Sequence, residues 1–110
     1  MKKFVNEVDN ILSESLIGFG KAHSDIINVN LSPDFISRRN KSNKDKVALI
    51  SGGGSGHEPL HGGFVGYGML DAACPGQVFS APTPDQMEAA SNEVHNNKGI
   101  LFIVKNYSGD

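Results

Sequence analysis

The sequence of 110 residues has little cysteine, little net charge and no long hydrophobic run. Its single cysteine, Cys74, excludes an internal disulfide and suits a reducing compartment. A formal net charge of -2 provides no strong positive field, which argues against nucleic acid or an anionic membrane as a partner. No apolar run is long enough to span a membrane, and Glu7 and Asp9 interrupt the segment after the basic start, so no signal peptide is predicted. We therefore expect one small cytoplasmic domain with a single hydrophobic core.

Glycine, by contrast, is concentrated in one stretch, the run 51–59 that follows the apolar residues 47–50. Glycines in such number cost chain entropy on folding, which favours a tight turn or a backbone that a ligand approaches closely. No Gly-Lys-Ser/Thr follows, so the phosphate loop of nucleotide-binding proteins is excluded, and His57 stands where the dinucleotide pattern needs its last glycine. We therefore predict no cofactor in this chain. Turns with close helix–strand packing remain the alternative explanation for the glycines.

The segment from His57 to His61 matches the letters of the zinc-protease motif, His-Glu-x-x-His. That motif requires both histidines on one face of a helix. Pro59 fits a helix best at its first position, which would leave His57 outside, and Gly62 and Gly63 weaken a helix further. We therefore predict that the chain has no metal site.

The first part of the chain predicts one helix and a charged connection. Apolar residues at spacings of three and four, from Val5 to Phe19, predict a helix with one apolar face that ends near Gly18 and Gly20. The basic cluster at 38–46 follows, and we interpret it as a solvated connection rather than a nucleic-acid surface.

The remainder predicts strands that alternate with a helix. Strands are expected at 47–50, 77–80 and 100–104, and the last is so uniformly apolar that both of its faces should be covered. A capping sequence that begins with Thr83 predicts a helix at 84–95. Two strands flanking a helix form a β-α-β unit with a right-handed crossover. The predicted fold class is therefore α/β, with a parallel-rich sheet and helices on both faces.

Ligands of parallel sheets bind beyond the carboxyl ends of the strands, where the loops 51–59, 80–83 and 105–110 should meet. His57 could act there as a general acid or base because its charge changes near neutral pH. Asp110 is its natural partner, since it follows the last strand by a few residues. A solvated Asp110 is an equally good interpretation of the spacing alone. We interpret the other histidines, His23, His61 and His95, as surface or packing residues. We interpret Cys74 as a small buried hydrophobe.

Four segments, in order along the chain, carry a family resemblance: 51–59, Ala73-Cys74-Pro75-Gly76, 80–85 and 105–110. Together they closely resemble the N-terminal part of the substrate-binding subunit of dihydroxyacetone kinases. Because the four segments have sensible separations and the resemblance covers essentially the whole chain, it is far more specific than any one glycine loop.

The resemblance implies an enzyme component that binds dihydroxyacetone while phosphate is relayed from phosphoenolpyruvate through partner subunits, or comes from ATP on another domain. It also implies a cytoplasmic homodimer or other homo-oligomer that works in glycerol metabolism. His57 would serve acid/base chemistry. Asp110 would accept a hydrogen bond from the substrate hydroxyl and help to remove its proton. On matching positions, the implied substrate-binding residues are Gly54, Ser55, Gly56, His57, Lys105 and Asp110.

Members of this family are much longer, and the histidine that holds their substrate as a covalent hemiaminal lies beyond residue 110. We expect residues 1–110 to be the N-terminal part of a dihydroxyacetone-binding kinase domain, a fragment that is inactive alone. The alternative is a non-catalytic coactivator or regulatory relative that binds dihydroxyacetone, although the presence of both His57 and Asp110 favours the enzyme. A binding domain without chemistry is the third possibility.

Overall fold

The computed structural model describes residues 1–40 and 45–110, and its fold is α/β, as predicted. Short 3-10 turns at Val8–Asn10 and Gly62–Phe64 accompany the regular elements. The helices and strands of the described residues are, in chain order, α1 (Ile11–Ala22), β1 (Ile27–Asn30), β2 (Phe35–Arg38), β3 (Ala48–Ser55), β4 (Ala72–Val78), α2 (Pro84–Val94) and β5 (Ile100–Ile103). Within the same ranges, no helix is long and apolar enough to cross a membrane.

The strands of the described residues form one mixed sheet in the order β1-β2-β4-β3-β5. β3 runs parallel to β4 on one side and to β5 on the other, whereas β1 pairs antiparallel with β2, and β2 antiparallel with β4. The predicted β-α-β unit is present as β4-α2-β5, with β3 lying between its two strands. Because β3, β4 and β5 are parallel, their carboxyl ends meet at one edge of the sheet.

The two helices cover opposite faces of the sheet, as predicted. Neighbouring residues of a strand point to opposite faces, and Phe35 and Ile36 of β2 accordingly belong to two different clusters. One cluster packs with Leu16 of α1 and the other with Ala90 of α2. Cys74 is fully buried in the second cluster, in agreement with its interpretation as a small hydrophobe.

The first helix lies later in the chain than the apolar stripe predicts. Val8 is 73% exposed and Val5 is exposed as well, because neither packs on the sheet, and α1 begins only at Ile11. The predicted end near Gly18 and Gly20 is also wrong, since α1 continues to Ala22. A Cβ placed on Gly20 would lie 2.9 Å from Val29 Cγ2 of β1, so this glycine allows close helix–strand contact instead of ending the helix.

Two predicted strands also need correction. The strand expected at 77–80 is β4, which spans Ala72–Val78 and consists largely of alanine, cysteine, proline and glycine. The expectation that both faces of the last strand are covered is wrong for β5 within the described residues: β5 lies at the edge of the sheet, and Leu101 and Ile103 are 54% and 51% exposed. Its apolar side chains are therefore available on the surface.

The basic cluster expected to form a solvated connection lies partly outside the described residues, at 41–44. The prediction of a solvated connection is wrong for the two ends of the cluster, Arg38 and Lys46, whose side chains are only 10% and 32% exposed. Arg38 and Lys46 both form ion pairs with Asp71, a carboxylate that is only 2% exposed. A buried carboxylate requires such partners, which explains why these two cations turn toward the protein.

Candidate functional site

The glycine run lies mostly inside β3 rather than in a loop after it. β3 continues through Gly54 to Ser55, and the chain leaves the sheet at Gly56, whose φ of 104° favours glycine. A Cβ on Gly54 would lie 2.7 Å from the backbone nitrogen of Ser80. Close packing, the alternative explanation of the glycines, therefore accounts for part of the run.

Gly53 has different neighbours from Gly54. A Cβ on Gly53 would lie 2.7 Å from Cε1 of His61 and 3.1 Å from Nζ of Lys105. Two side chains capable of binding a ligand thus converge on the bare backbone of Gly53. This convergence locates the candidate site at the carboxyl end of β3.

The turn that follows β3 carries His57. The His57 side chain is exposed, and its ring packs edge-to-face on Phe79 with centroids 5.1 Å apart. The amide of Gly56 donates a hydrogen bond to Glu58 Oε2 at 3.0 Å, which helps to shape the turn. The buried hydroxyl of Ser55 donates to the Gly76 carbonyl at 2.7 Å, so it ties β3 to β4 and keeps only acceptor capacity for a ligand.

The segment after β5 supplies Lys105 and Asp110. The amide of Tyr107 donates to the Lys105 carbonyl at 2.9 Å, and the amide of Asp110 donates to the Tyr107 carbonyl at 3.2 Å. These turns bring Asp110 Oδ2 to 4.0 Å from Lys105 Nζ, with the Asp110 side chain 8% exposed. Asp110 also borders a largely apolar pocket of about 420 Å³ beside Gly52 and Met87.

His61, which the sequence analysis assigns to the surface or to packing, belongs to this group. Burial lowers the pKa of His61 from its ordinary value of 6.5, the charge of Lys105 lowers it further, Asp110 raises it and His57 lowers it. All three residues are therefore close enough to act on the imidazole. We call His57, His61, Lys105 and Asp110 the titratable cluster.

His57 and Asp110, the predicted catalytic pair, lie at the same edge of the sheet, since both act on His61. No hydrogen bond or ion pair of the described residues joins the two directly. Asp110 borders the 420 Å³ pocket, whereas a second pocket, of about 330 Å³, lies beside Gly53, Glu58 and His61. The cluster thus combines an imidazole, a carboxylate and an ammonium group that could bind hydroxyls and accept a proton.

The segment 57–61 forms turns and not a helix, which agrees with the reason for rejecting a zinc-protease motif. Among the described residues, no group of three or more His, Cys, Asp or Glu side chains could hold a metal ion. The four-residue separation of His57 and His61 was nevertheless a signal that the two imidazoles act near each other.

Comparisons with known proteins identify relatives of this chain. A model of the Dak1 domain matches residues 17–110. The chain is 46% identical to the dihydroxyacetone-binding subunit DhaK of the PEP-dependent dihydroxyacetone kinase of Escherichia coli, over 100% of this chain and 31% of that protein. The chain spans about a third of the length of the bacterial DhaK subunits that it matches.

Solved structures extend the similarity to three dimensions. The dihydroxyacetone kinase of C. freundii, in complex with AMP-PNP and Mg²⁺, matches with a TM-score of 0.89 at 42% identity, over 99% of this chain and 21% of that one. A dihydroxyacetone kinase operon co-activator, Dha-DhaQ, matches with a TM-score of 0.80 at 35% identity, over 96% of this chain and 31% of that one. The predicted α/β fold and the predicted resemblance are both confirmed.

Proposed function

The chain belongs to the Dak1 domain family, and on that basis we propose that it is the dihydroxyacetone-binding part of a kinase that phosphorylates dihydroxyacetone. The phosphate is relayed from phosphoenolpyruvate through partner subunits, and the chain itself carries no cofactor. The observation that carries this proposal is the titratable cluster around Gly53, in a chain 46% identical along its whole length to the E. coli subunit.

In this proposal the substrate lies at the carboxyl ends of β3 and β5. The side chains of His61 and Lys105 lie directly against the backbone of Gly53 near the end of β3, and Lys105 is positioned there to donate to a substrate oxygen. The proposed substrate-binding residues surround this position: Gly54, Ser55, Gly56, His57, Lys105 and Asp110.

Asp110 and His57 are the proposed catalytic residues. Phosphoryl transfer needs a positioned nucleophile and a group that accepts its proton. The substrate hydroxyl oxygen bonds to phosphorus while the bond from phosphorus to its donor breaks, and the hydroxyl proton passes to the carboxylate of Asp110. His57 serves the same reaction as an acid or base. The ion pair with Lys105 supports this role because it orients the carboxylate.

A non-catalytic coactivator is the second candidate function, and the similarity to Dha-DhaQ is the observation that favours it. Identity is higher to the kinase structure, at 42% against 35%. Both His57 and Asp110 are present in this chain, as catalysis would require. The kinase is therefore our preferred assignment.

The substitution His57→Ala separates the two functions. In the full-length protein with donor subunits supplied, we expect a loss of dihydroxyacetone phosphorylation of at least about a hundredfold, the usual contribution of a general acid or base, while the other proposed binding residues still bind dihydroxyacetone. His95→Ala, on an exposed histidine at the end of α2, is the matched control and should leave turnover unchanged. Unchanged turnover in His57→Ala would remove His57 from the mechanism. Wild-type protein that binds dihydroxyacetone but never turns it over would indicate the coactivator.

We further propose that the protein is cytoplasmic, that it works in glycerol metabolism and that it forms homodimers. The exposed apolar side chains of β5, Leu101 and Ile103 among them, form a surface that either a second copy or another part of the same protein would bury. Sedimentation velocity over a range of protein concentrations tests the dimer. A single monomeric species at every concentration would contradict it.

A further inference from the structure

We propose that His61 is a substrate-binding residue that donates a hydrogen bond from Nε2 to an oxygen of the bound three-carbon ligand. This inference rests on the proposed function, because it assumes that the ligand is a small hydroxyketone. Neither the sequence motifs nor the predicted substrate-binding set assigns His61 this role. The contacts of its imidazole ring carry the inference.

The position of the ring leaves one edge free. Nδ1 of His61 is buried and has no hydrogen-bond partner within the described part of the chain. Cε1 lies against Gly53, since a Cβ there would be only 2.7 Å away. His61 also lines the pocket of about 330 Å³ together with Gly53, Gly54 and Ser55. The edge that remains for the pocket is therefore the one formed by Nε2 and Cδ2.

The proton of the ring belongs on Nε2. Burial and the neighbouring Lys105 keep the imidazole neutral at neutral pH, and a neutral imidazole has one nitrogen that donates and one that accepts. Buried N–H groups without a partner are rarer in proteins than buried acceptors with a spare lone pair. A proton on Nδ1 would be such an orphan, whereas a proton on Nε2 can reach a ligand. His61 is thus a neutral donor, whose natural partner is a carbonyl or hydroxyl oxygen.

The pocket beside His61 agrees with this ligand class. Apolar side chains such as Phe19 and Leu60 line much of the pocket, but its wall at β3, residues 53–55, offers peptide groups and a hydroxyl oxygen, and the ammonium group of Lys105 lies beside this wall. A ligand with several oxygens on a short carbon chain can use these groups at once. His61 then binds one end of the ligand, and the ammonium group of Lys105, which is paired with Asp110, binds the other end.

Side-chain geometry gives a position-specific test. The amide of glutamine reaches approximately as far as Nε2 of histidine, whereas the shorter amide of asparagine reaches only as far as Nδ1. In the full-length protein, we expect His61→Gln to bind dihydroxyacetone within about threefold of wild type, and His61→Asn and His61→Leu to bind at least about tenfold more weakly, as measured by isothermal titration calorimetry. Tenfold corresponds to about 1.4 kcal/mol, the scale of one hydrogen bond. His95→Asn is the matched control and should bind as wild type does.

Each outcome decides the question. Equal binding by all three His61 variants, or binding retained by Asn and lost by Gln, would overturn the assignment of Nε2. Wild-type protein that fails to bind dihydroxyacetone would overturn the proposed function, and the role of His61 with it. Equal loss of binding by His61→Gln and His61→Asn, in variants that are folded as the wild type is, would also contradict the inference. Circular dichroism of each variant identifies a folding defect.

Discussion

The substitution Asp71→Asn should destabilise the fold, because Asp71 is the common partner of three donors in an almost fully buried position. Its carboxylate accepts hydrogen bonds from Arg38 Nη1 at 3.1 Å, from Lys46 Nζ and from the amide of Leu49 at 2.8 Å. Asparagine keeps one oxygen but directs an NH₂ group at a donor. It also leaves two cations without their counter-charge.

The expected loss can be worked out from these contacts. Hydrogen bonds to a charged group contribute about 1.5–3 kcal/mol each, and breaking a buried ion pair costs about 3–5 kcal/mol. The Arg38 side chain is only 10% exposed, whereas that of Lys46 is 32% exposed, so water can partly replace the partner of Lys46. We therefore expect the free energy of unfolding to fall by about 3 kcal/mol, at the lower end of that range.

Urea unfolding at pH 7, followed by circular dichroism, measures this change. Asp25→Asn, on an exposed aspartate in the turn before β1, is the matched control and should stay within about 0.5 kcal/mol of wild type. The double variant Asp71→Asn/Lys46→Met should lose less than the sum of the two single changes, because the two side chains share one interaction. A loss below about 1 kcal/mol, or strict additivity, would refute the reasoning.

The same carboxylate predicts a dependence on pH. Burial alone would raise the pKa of Asp71, but the hydrogen bonds from Lys46, the Leu49 amide and Arg38 outweigh it and hold the pKa below its ordinary value of 3.8. The unfolded state therefore binds the proton first as the pH falls. The stabilisation is complete above pH 3.8 and is lost as the pH falls from there through the folded-state pKa. The difference between wild type and Asp71→Asn should accordingly narrow below pH 3.8, and a constant difference down to pH 2 would contradict the assignment.

Two further predictions concern β4. Gly76→Ala should lower the free energy of unfolding by about 3 kcal/mol in urea titrations, since its Cβ would lie 2.0 Å from the Ser80 carbonyl oxygen. The control Gly18→Ala in α1, where a Cβ has nothing within 4 Å, should raise the free energy of unfolding by about 0.5–1 kcal/mol. Equal effects of the two substitutions would refute this contrast. Cys74 should not react with a chromogenic disulfide reagent at pH 8 until urea is added, because burial raises the pKa of its thiol to about 12 and the residue is 0% exposed; rapid reaction of the folded protein would contradict its burial.

The elements that the sequence predicts well are those that local chemistry determines. α2 was expected at 84–95 and spans Pro84–Val94, since the cap at Thr83 and the proline that follows it act within one turn of helix. Gln86 Oε1 accepts from the Thr83 amide at 3.0 Å, as a capping box requires. β5 was likewise recognisable from a continuous apolar run, although its exposure at the sheet edge was not, because exposure depends on which strands pair.

Elements that depend on distant partners were harder to predict. The hairpin of β1 and β2 falls where the apolar pattern weakens, since each strand has only four residues and β1 alternates with asparagine. β4 begins with small residues that have little intrinsic preference for strands, and it forms because β3 pairs along it and both faces are covered. Asp71 gave no local signal of its role, because its partners lie far away in the sequence, and the spacing from His57 to His61 could not reveal the approach of both His61 and the distant Lys105 to Gly53.

The glycine run shows why packing and function are not competing explanations of one motif. Successive residues of a strand face opposite sides of the sheet. A side chain at Gly52 would collide with the Cys74 carbonyl of β4, and one at Gly54 would collide with the backbone of Ser80 in the connection that leads to α2. Gly53, between them, faces the imidazole of His61 and the ammonium group of Lys105. The even positions thus permit close packing of the backbone, and the odd position lets two side chains of the titratable cluster approach the strand. Because the alternation of the strand separates the two demands, one short run of glycine can satisfy both.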